Sequence, residues 1–496
     1  MPFLLIGQSR RYDLQSELKS RIVPGRIVVK VRSNHGESNQ RIAPFDISTV
    51  AGVLKTESVR RTSSNLRQAP SILDGIFWVT IDSSLDPLNM CNQLLHYQEI
   101  EYAEVLLNED LLFTPNDPSA QPITGSQGYL SVIKAYEAWD ITTGSPNIVI
   151  GVVDTGMDLA HQDLSVKYYT NIGEAPEANG IDEDGNGYID DIRGYDFADN
   201  DPNAQADGNQ HGTHVGGIAG AATNNGLGIA SVGYQTKLAP LKGFTTAGTV
   251  STGVWEAVYY AAENGLDILN LSFGSAGTYS QFLQDLINYC VLEKDVVIVA
   301  AAGNTNADLD FYPASYENVL SVAGTTLTDT KWSNGTYSHF VDITAPAQSI
   351  FSTQNNNTYN SDNGSSHATP QVAGAAALVK SVFTQYNARQ IMEQLRVTAD
   401  DIYGVTGNSA YAYKLGKGRL NVYRAVTERT NRSMRITDFT YHNGFGTYAF
   451  YGDTIRLAFE MINYLAGVND PAISLISDSP YATVLNGAWY PGAFQT

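Results

Sequence analysis

The 496-residue chain predicts a doubly wound α/β domain on a largely parallel sheet, preceded by a small α+β unit and followed by a partial all-β module. Three changes of texture along the sequence carry this expectation. Residues 20–113 mix alternating β-branched runs with one helical stretch. Residues 130–428 alternate short, almost wholly apolar runs with longer helical ones. After residue 430 the chain reads as strand and turn.

Residues 1–19 form an N-terminal extension. It holds a short apolar run but no apolar stretch of about 7–15 residues before a small-residue cleavage site, so an export signal is not visible. In the α+β unit, Arg26–Arg32 and Ile76–Ile81 suit strands, Leu88–Tyr97 has helical periodicity, and Ile100–Val105 suits a further strand. The Pro-marked stretch 114–129 reads as a linker. In the α/β region, Ile148–Val153, Ile268–Leu271, Val296–Ala300 and Val319–Ala323 are apolar enough to be buried on both faces of a parallel sheet. Helices are expected over Gly216–Ala222, Gly253–Ala262 and Pro370–Lys380. Past residue 430, Arg456–Ile462 is a strand among Gly, Asn and Asp. Residues 430–496 are short of the ~100 that an immunoglobulin-like sandwich needs, so the sequence is expected to stop inside that module.

Composition excludes several classes of function. With 30 basic and 51 acidic residues the net charge is −21, which argues against nucleic acid or anionic membrane as a partner. No window approaches the roughly 20 apolar residues of a membrane helix. Cys91 and Cys290 are the two cysteines, and a structural disulfide between them is not expected. The acids are concentrated: eleven Asp and Glu against one Arg lie between Glu174 and Asp207. Such a block is either a solvated face or a cation site.

Three local patterns could carry chemistry. Val152-Val-Asp-Thr-Gly156 puts Asp154 at the end of a buried strand, on the sheet edge where open α/β folds place their sites. His211-Gly-Thr-His214 opens a helix; His214 is assigned to core packing or a hydrogen bond. Gly364-Ser-Ser-His-Ala-Thr-Pro370 puts a serine where helix N–H groups and the positive helix end favour a developing oxyanion. Singly, each reads as a cap, a surface acid or a structural histidine. Together, an acid, an imidazole and a hydroxyl are the parts of nucleophilic acyl transfer.

These motifs, with Ala301-Ala-Gly-Asn304 and Val341-Asp-Ile-Thr-Ala-Pro346, resemble the subtilisin-like serine proteases (subtilases) over about 300 residues. The resemblance implies a secreted serine endopeptidase with Asp154, His211 and Ser366 as catalytic triad and Asn304 as oxyanion donor. It implies substrate-binding edges at Ser272-Phe273-Gly274, at Gly303, and across from them at Gly248. Several positions depart from the family pattern, among them Thr305 beyond the oxyanion Asn, which supplies no charge at that rim. His367 stands where Met is common after the nucleophile, and a second imidazole there would bear on the pH profile. Phe311 stands where a small residue often floors the primary specificity pocket, and either shortens that pocket or points elsewhere.

The acidic block then reads as a calcium loop. Side chains of Asp182, Asp184 and Asn186, the carbonyl of Tyr188, then Asp190 beside Asp191, follow EF-hand spacing; the bidentate Glu is replaced by Arg193. Asp163 and Asn225 resemble ligands of another family calcium site. Residues 20–113 resemble the ferredoxin-like inhibitory prodomain of a zymogen, cut between Leu107 and Gly128. The expected partners are protein or peptide substrates and the chain's own prodomain, the expected state a monomer. Two other readings remain open at this stage: a catalytically inactive subtilase-like binding module, and a chain whose main role is adhesion through residues 430–496.

Overall fold

In a computed structural model, the chain is described over residues 22–32, 46–58, 73–107, 114–245 except 123, and 251–442 except 278, with shorter pieces between 452 and 489. The N-terminal extension and Gly248 lie outside the described residues. The chain divides into two compact units, Met1–Leu111 and Leu112–Thr496.

In the first unit, strands β1 (Ile22–Val31), β2 (Val53–Ser58), β3 (Ile76–Ile81) and β4 (Ile100–Leu107) form an antiparallel sheet in the order β2-β3-β1-β4. Helix α1 (Pro87–Leu94) separates β3 from β4 in sequence. Alternation places Ile27, Val29, Val79 and Ile81 on one face, where Met90, Cys91 and Leu94 of α1 join them in one buried cluster. Helix α1 starts cleanly: Asp86 Oδ1 accepts from Leu88 N at 2.9 Å and Pro87 occupies the first helical position, where its missing N–H costs nothing. It ends at Leu94, three residues earlier than the sequence periodicity predicts.

The second unit is built on a parallel sheet. Its seven described strands are β5 (Val149–Asp154), β6 (Tyr195–Asp196), β7 (Lys237–Lys242), β8 (Ile268–Leu271), β9 (Val297–Ala301), β10 (Leu320–Thr325) and β11 (Ile343–Pro346). They lie in the order β11-β10-β9-β8-β5-β7-β6. From β5 the chain runs to the edge strand β6, returns to β7 between them, then crosses to β8 on the other side of β5 and winds outward through β9, β10 and β11. The switch point, with its crevice at the carboxyl ends of the strands, therefore lies beside β5 and β8. Asp154 is the last residue of β5. The sequence pattern does not predict strand β7, because Pro240 sits inside it. The proline is tolerated since β6 pairs only with Leu241 and Lys242, leaving the outer side of β7 without a β6 partner at Pro240.

Helices α2 (His211–Gly220) and α3 (Val254–Glu263) and the hairpin β12 (Ile350–Gln354)–β13 (Thr358–Asp362) lead to the long helix α4 (Ser365–Val382). Two helices differ from expectation. The first begins at His211, where the His211-Gly-Thr-His214 motif opens it, and ends at Gly220 rather than running over Gly216–Ala222; Asn209 Oδ1 accepts from His211 N at 2.9 Å and satisfies the first turn. The last begins at Ser365, so Pro370 falls inside it rather than at its start. Near the C-terminus, β14 (Met434–His442) and β15 (Arg456–Asn463) form an antiparallel hairpin, and Arg435 Nη2 in β14 pairs with Asp342 at 2.7 Å.

Candidate active site

Strand β5 delivers Asp154 to the sheet edge almost fully buried. Its carboxylate accepts from Thr155 N at 2.8 Å and meets His211 Nδ1 at 2.8 and 3.0 Å. The helix carrying His211 can approach this closely because residue 212 is glycine. A Cβ there would stand 2.2 Å from the Gly156 carbonyl and 3.1 Å from the Asp154 Cβ. From behind, Ser352 Oγ and Thr353 Oγ1 of β12 donate to the His214 and Thr213 carbonyls, each at 2.7 Å. Burial alone would lower the His211 pKa; the Asp154 carboxylate outweighs it, and the net shift is upward.

Ser366 sits in the first turn of α4, where its N–H has no intrahelical acceptor. Gly364, with φ of 152°, turns the chain into that helix. A Cβ on Gly364 would lie 2.9 Å from Ser366 Oγ and 3.3 Å from Asn304 Nδ2, so the hydroxyl and the amide border one small space kept open by the missing side chain. The amide faces that space because Asn304 Oδ1 is already taken by Ser365 N at 2.8 Å and Ser365 Oγ at 2.9 Å. Ser365 Oγ also accepts from Gly303 N at 3.1 Å. Ser365 thus fixes which end of Asn304 is presented. Nothing in its sequence position distinguishes this from a helix cap.

Pro370 explains the orientation of the Ser272 side chain. The carbonyl of Ser366 would accept from residue 370 within a regular helix, but proline has no N–H. Ser272 Oγ fills the gap, donating to the Ser366 carbonyl at 2.8 Å, and itself accepts from Asn270 Nδ2 at 2.8 Å. The Ser272 side chain is turned inward and anchors the backbone of Ser366 to β8, while the residue also lines the catalytic cavity.

His367 and His214 form a buried pair with ring centroids 4.5 Å apart, and His367 lies 5.5 Å from the His211 ring. His214 Nε2 is 3.1 Å from the Asn360 carbonyl, the hydrogen bond expected of it. Burial lowers both pKa values, His214 to about 4 and His367 well below its ordinary range. Lowered pKa values favour the neutral form of both rings, which argues against a second titration by His367 near neutral pH.

A cavity of about 320 Å³ opens over Asp154, His211, Ser272, Phe273 and Asp362. Phe273 stacks edge-on with Phe244 at 5.4 Å. Phe311 points inward. Cβ atoms on Gly274 and Gly303 would meet its ring at 2.6 and 2.8 Å, so the ring is packed between those two backbones.

The acidic block serves two ends. Asp196, Asp199 and Asp207 surround the buried Lys242 Nζ at 2.7, 3.7 and 3.2 Å. Of the expected loop ligands, Asp182 and Asp184 bring carboxylates within 4.8 Å of each other and of Glu174, which the spacing argument did not include. Asp190 does not join them: its φ is +56° and its oxygens accept from Asn179 N and Gly180 N at 2.8 Å. Asp191 accepts from Asn171 Nδ2 and Asn186 Nδ2 at 2.9 and 3.0 Å, and Asn186 Oδ1 from Tyr188 N at 2.8 Å. Glu174 is buried, one of its oxygens has no hydrogen-bond partner, and burial raises its pKa. Three converging carboxylates with an unpartnered buried oxygen fit a hard, oxygen-seeking cation such as Ca²⁺. At the other expected site Asp163 is buried, but its oxygens already accept from Asn225 Nδ2 and Tyr359 OH, both at 2.9 Å, and Ile229 N at 3.1 Å. Asn225 turns its own oxygen to Leu227 N at 2.9 Å.

An acid, an imidazole and a hydroxyl at the switch point of a parallel α/β sheet, with an amide facing the hydroxyl, are equipped for acyl transfer. Residues 145–443 match the model of the subtilase family, and the chain belongs to that family: it is a subtilisin-like serine endopeptidase. It is 38% identical over 318 residues to thermitase of Thermoactinomyces vulgaris, covering 63% of this chain and 99% of that one. It is 37% identical over 334 residues to a thermophilic serine proteinase of Bacillus sp. strain AK1, covering 66% and 73%. The solved structure of a protease from Pseudoalteromonas arctica is similar with a TM-score of 0.50 at 26% identity, over 63% of this chain and 99% of that one.

Proposed function

We propose that this endopeptidase hydrolyses peptide bonds through an acyl-enzyme formed on Ser366, with His211 as general base, Asp154 as its orienting carboxylate and Asn304 as oxyanion donor. The observation that carries the reading is the opening at Gly364, bordered by Ser366 Oγ and Asn304 Nδ2. His211 takes the Ser366 proton as Oγ attacks the scissile carbonyl. Asp154, bonded to Nδ1, holds the tautomer with its basic nitrogen free and stabilises the imidazolium. The oxyanion is met by Asn304 Nδ2 and the Ser366 N–H. His211 then returns the proton to the leaving amine, and water repeats the sequence on the acyl-enzyme.

In this reading Phe311 sets the substrate side chain next to the scissile bond. Its ring occupies the gap between Gly274 and Gly303 beside Asn304, leaving room for a small residue. Glu174, Asp182 and Asp184 would hold a structural Ca²⁺. Residues 20–113 act as prodomain and temporary inhibitor, removed by self-cleavage, and the mature enzyme works outside the cell. Among the described residues no helix is long and apolar enough to cross a membrane.

A fluorophosphonate probe tests the central claim. It should label the wild-type chain and not Ser366→Ala, and the variant should persist as an uncleaved precursor. Equal labelling of both proteins would sink the assignment of the nucleophile.

A further inference from the structure

We propose that a second cavity, formed around Lys167 and Lys237, binds a small oxyanion or carboxylate. This cavity of about 300 Å³ is lined also by Thr223, Tyr234 and Gln235 and shares no lining residue with the catalytic cleft.

Lys167 is only 8% exposed. Its ammonium has three donors, yet its one hydrogen bond among the described residues goes to the Tyr234 carbonyl at 2.6 Å. Lys237 Nζ likewise donates to a carbonyl, that of Val166, at 2.9 Å. Neither amine is in an ion pair among the described residues. The molecule contains its own comparison. Buried Lys242 is met by three carboxylates, so this chain of net charge −21 brings acids to a buried lysine elsewhere. At Lys167 it places a second amine instead. Two like charges on one cavity wall, facing only neutral oxygens, leave the charged state uncompensated. Burial, and then Lys237, lower the Lys167 pKa to about 7. An anion entering the cavity would supply the missing charge, occupy the spare N–H donors and hold the proton on Lys167. Lys237 and Tyr234 are the other titratable groups on the cavity wall.

Sulfate is the probe, because it stays a dianion throughout the range tested. It is titrated into enzyme blocked at its nucleophile with a sulfonyl fluoride, at ionic strength held constant with chloride, and followed by calorimetry and melting temperature. Saturable binding is expected, roughly twentyfold weaker at pH 8.5 than at pH 6.5, the ratio of protonated Lys167 for a pKa near 7. Sulfate also stabilises proteins by exclusion from their surface, so the difference between wild type and variants is the measured quantity. Lys167→Met should abolish saturable binding and Lys237→Gln should weaken it, while both retain wild-type peptide hydrolysis. The partly exposed Lys237 keeps the test valid where the buried substitution fails to fold. Binding that is unchanged in Lys237→Gln, or a wild-type response that never saturates, would overturn the proposal.

Discussion

The anchoring of Ser366 makes a prediction with a magnitude. Replacing Ser272 by Ala removes the donor that serves the Ser366 carbonyl, and Pro370 cannot replace it. The same substitution deprives Asn270 Nδ2 of its acceptor, in a residue that is fully buried and whose Oδ1 already lacks a partner. A buried polar group left unsatisfied costs about 1–3 kcal/mol. Two such groups put the total at roughly 2–6 kcal/mol, less whatever an entering water restores. Part of this should appear as a lower melting temperature. The part that reaches the reaction should appear in kcat, since the substitution loosens the residue bearing the nucleophile. Each 1.4 kcal/mol is about tenfold in rate, so a loss of roughly 10- to 100-fold in kcat with little change in KM is expected. Steady-state kinetics on a peptide substrate and a melting curve decide it. Ser272→Thr, which keeps the hydroxyl, should recover most of both. Unchanged kcat and unchanged melting temperature in Ser272→Ala would show that the carbonyl does not need this donor.

Asn304→Ala should lower kcat by about 10²–10³, the range for one oxyanion donor established on subtilisin, a member of the same family; Ser365→Ala should reproduce part of that loss by freeing the Asn304 amide to flip. Phe311→Ala should open the gap between Gly274 and Gly303, and a peptide library should then show large apolar residues accepted before the cleaved bond where the wild type prefers small ones. The acid limb of kcat/KM should lie above the ordinary imidazole value of 6.5: activity needs neutral His211, Asp154 raises its pKa, and so activity falls as pH drops through that raised value. The same limb should move down in Asp154→Asn, alongside the large loss of rate. Without Ca²⁺, the raised Glu174 pKa means the folded form binds more protons than the unfolded one, so its contribution to stability falls as pH rises through the carboxylate range. Added Ca²⁺ should reverse that slope in the wild type and not in Glu174→Gln, as read by melting temperature with and without EDTA.

The parallel core was legible because strands buried on both faces leave continuous apolar runs. Ile268–Leu271 was placed to the residue, and Val297–Ala301 and Leu320–Thr325 within one or two. Strand Lys237–Lys242 was not, since its proline and two lysines mask a run whose tolerance depends on how short its neighbour is. In the acidic loop, spacing pointed to Asp182 and Asp184 but could not show that Asp190 turns its carboxylate to the backbone of residues 179 and 180.

Local sequence determined four of the seven described strands of the parallel sheet, the motifs that carry the family resemblance, and the residue types set at a strand end and at two helix starts. Those are properties of neighbours along the chain, where apolar periodicity and small glycine-rich turns leave a direct trace. Tertiary structure alone decided that Ser272 serves Ser366, that Ser365 orients Asn304, that Phe311 fills the space between two glycines, and that Lys167 is buried without a carboxylate. The two serine contacts join residues far apart in the chain through hydrogen bonds of about 3 Å, and the other two arise from how distant segments pack. Hydrogen-bond direction and burial are set by that packing, and the order of the amino acids does not display them.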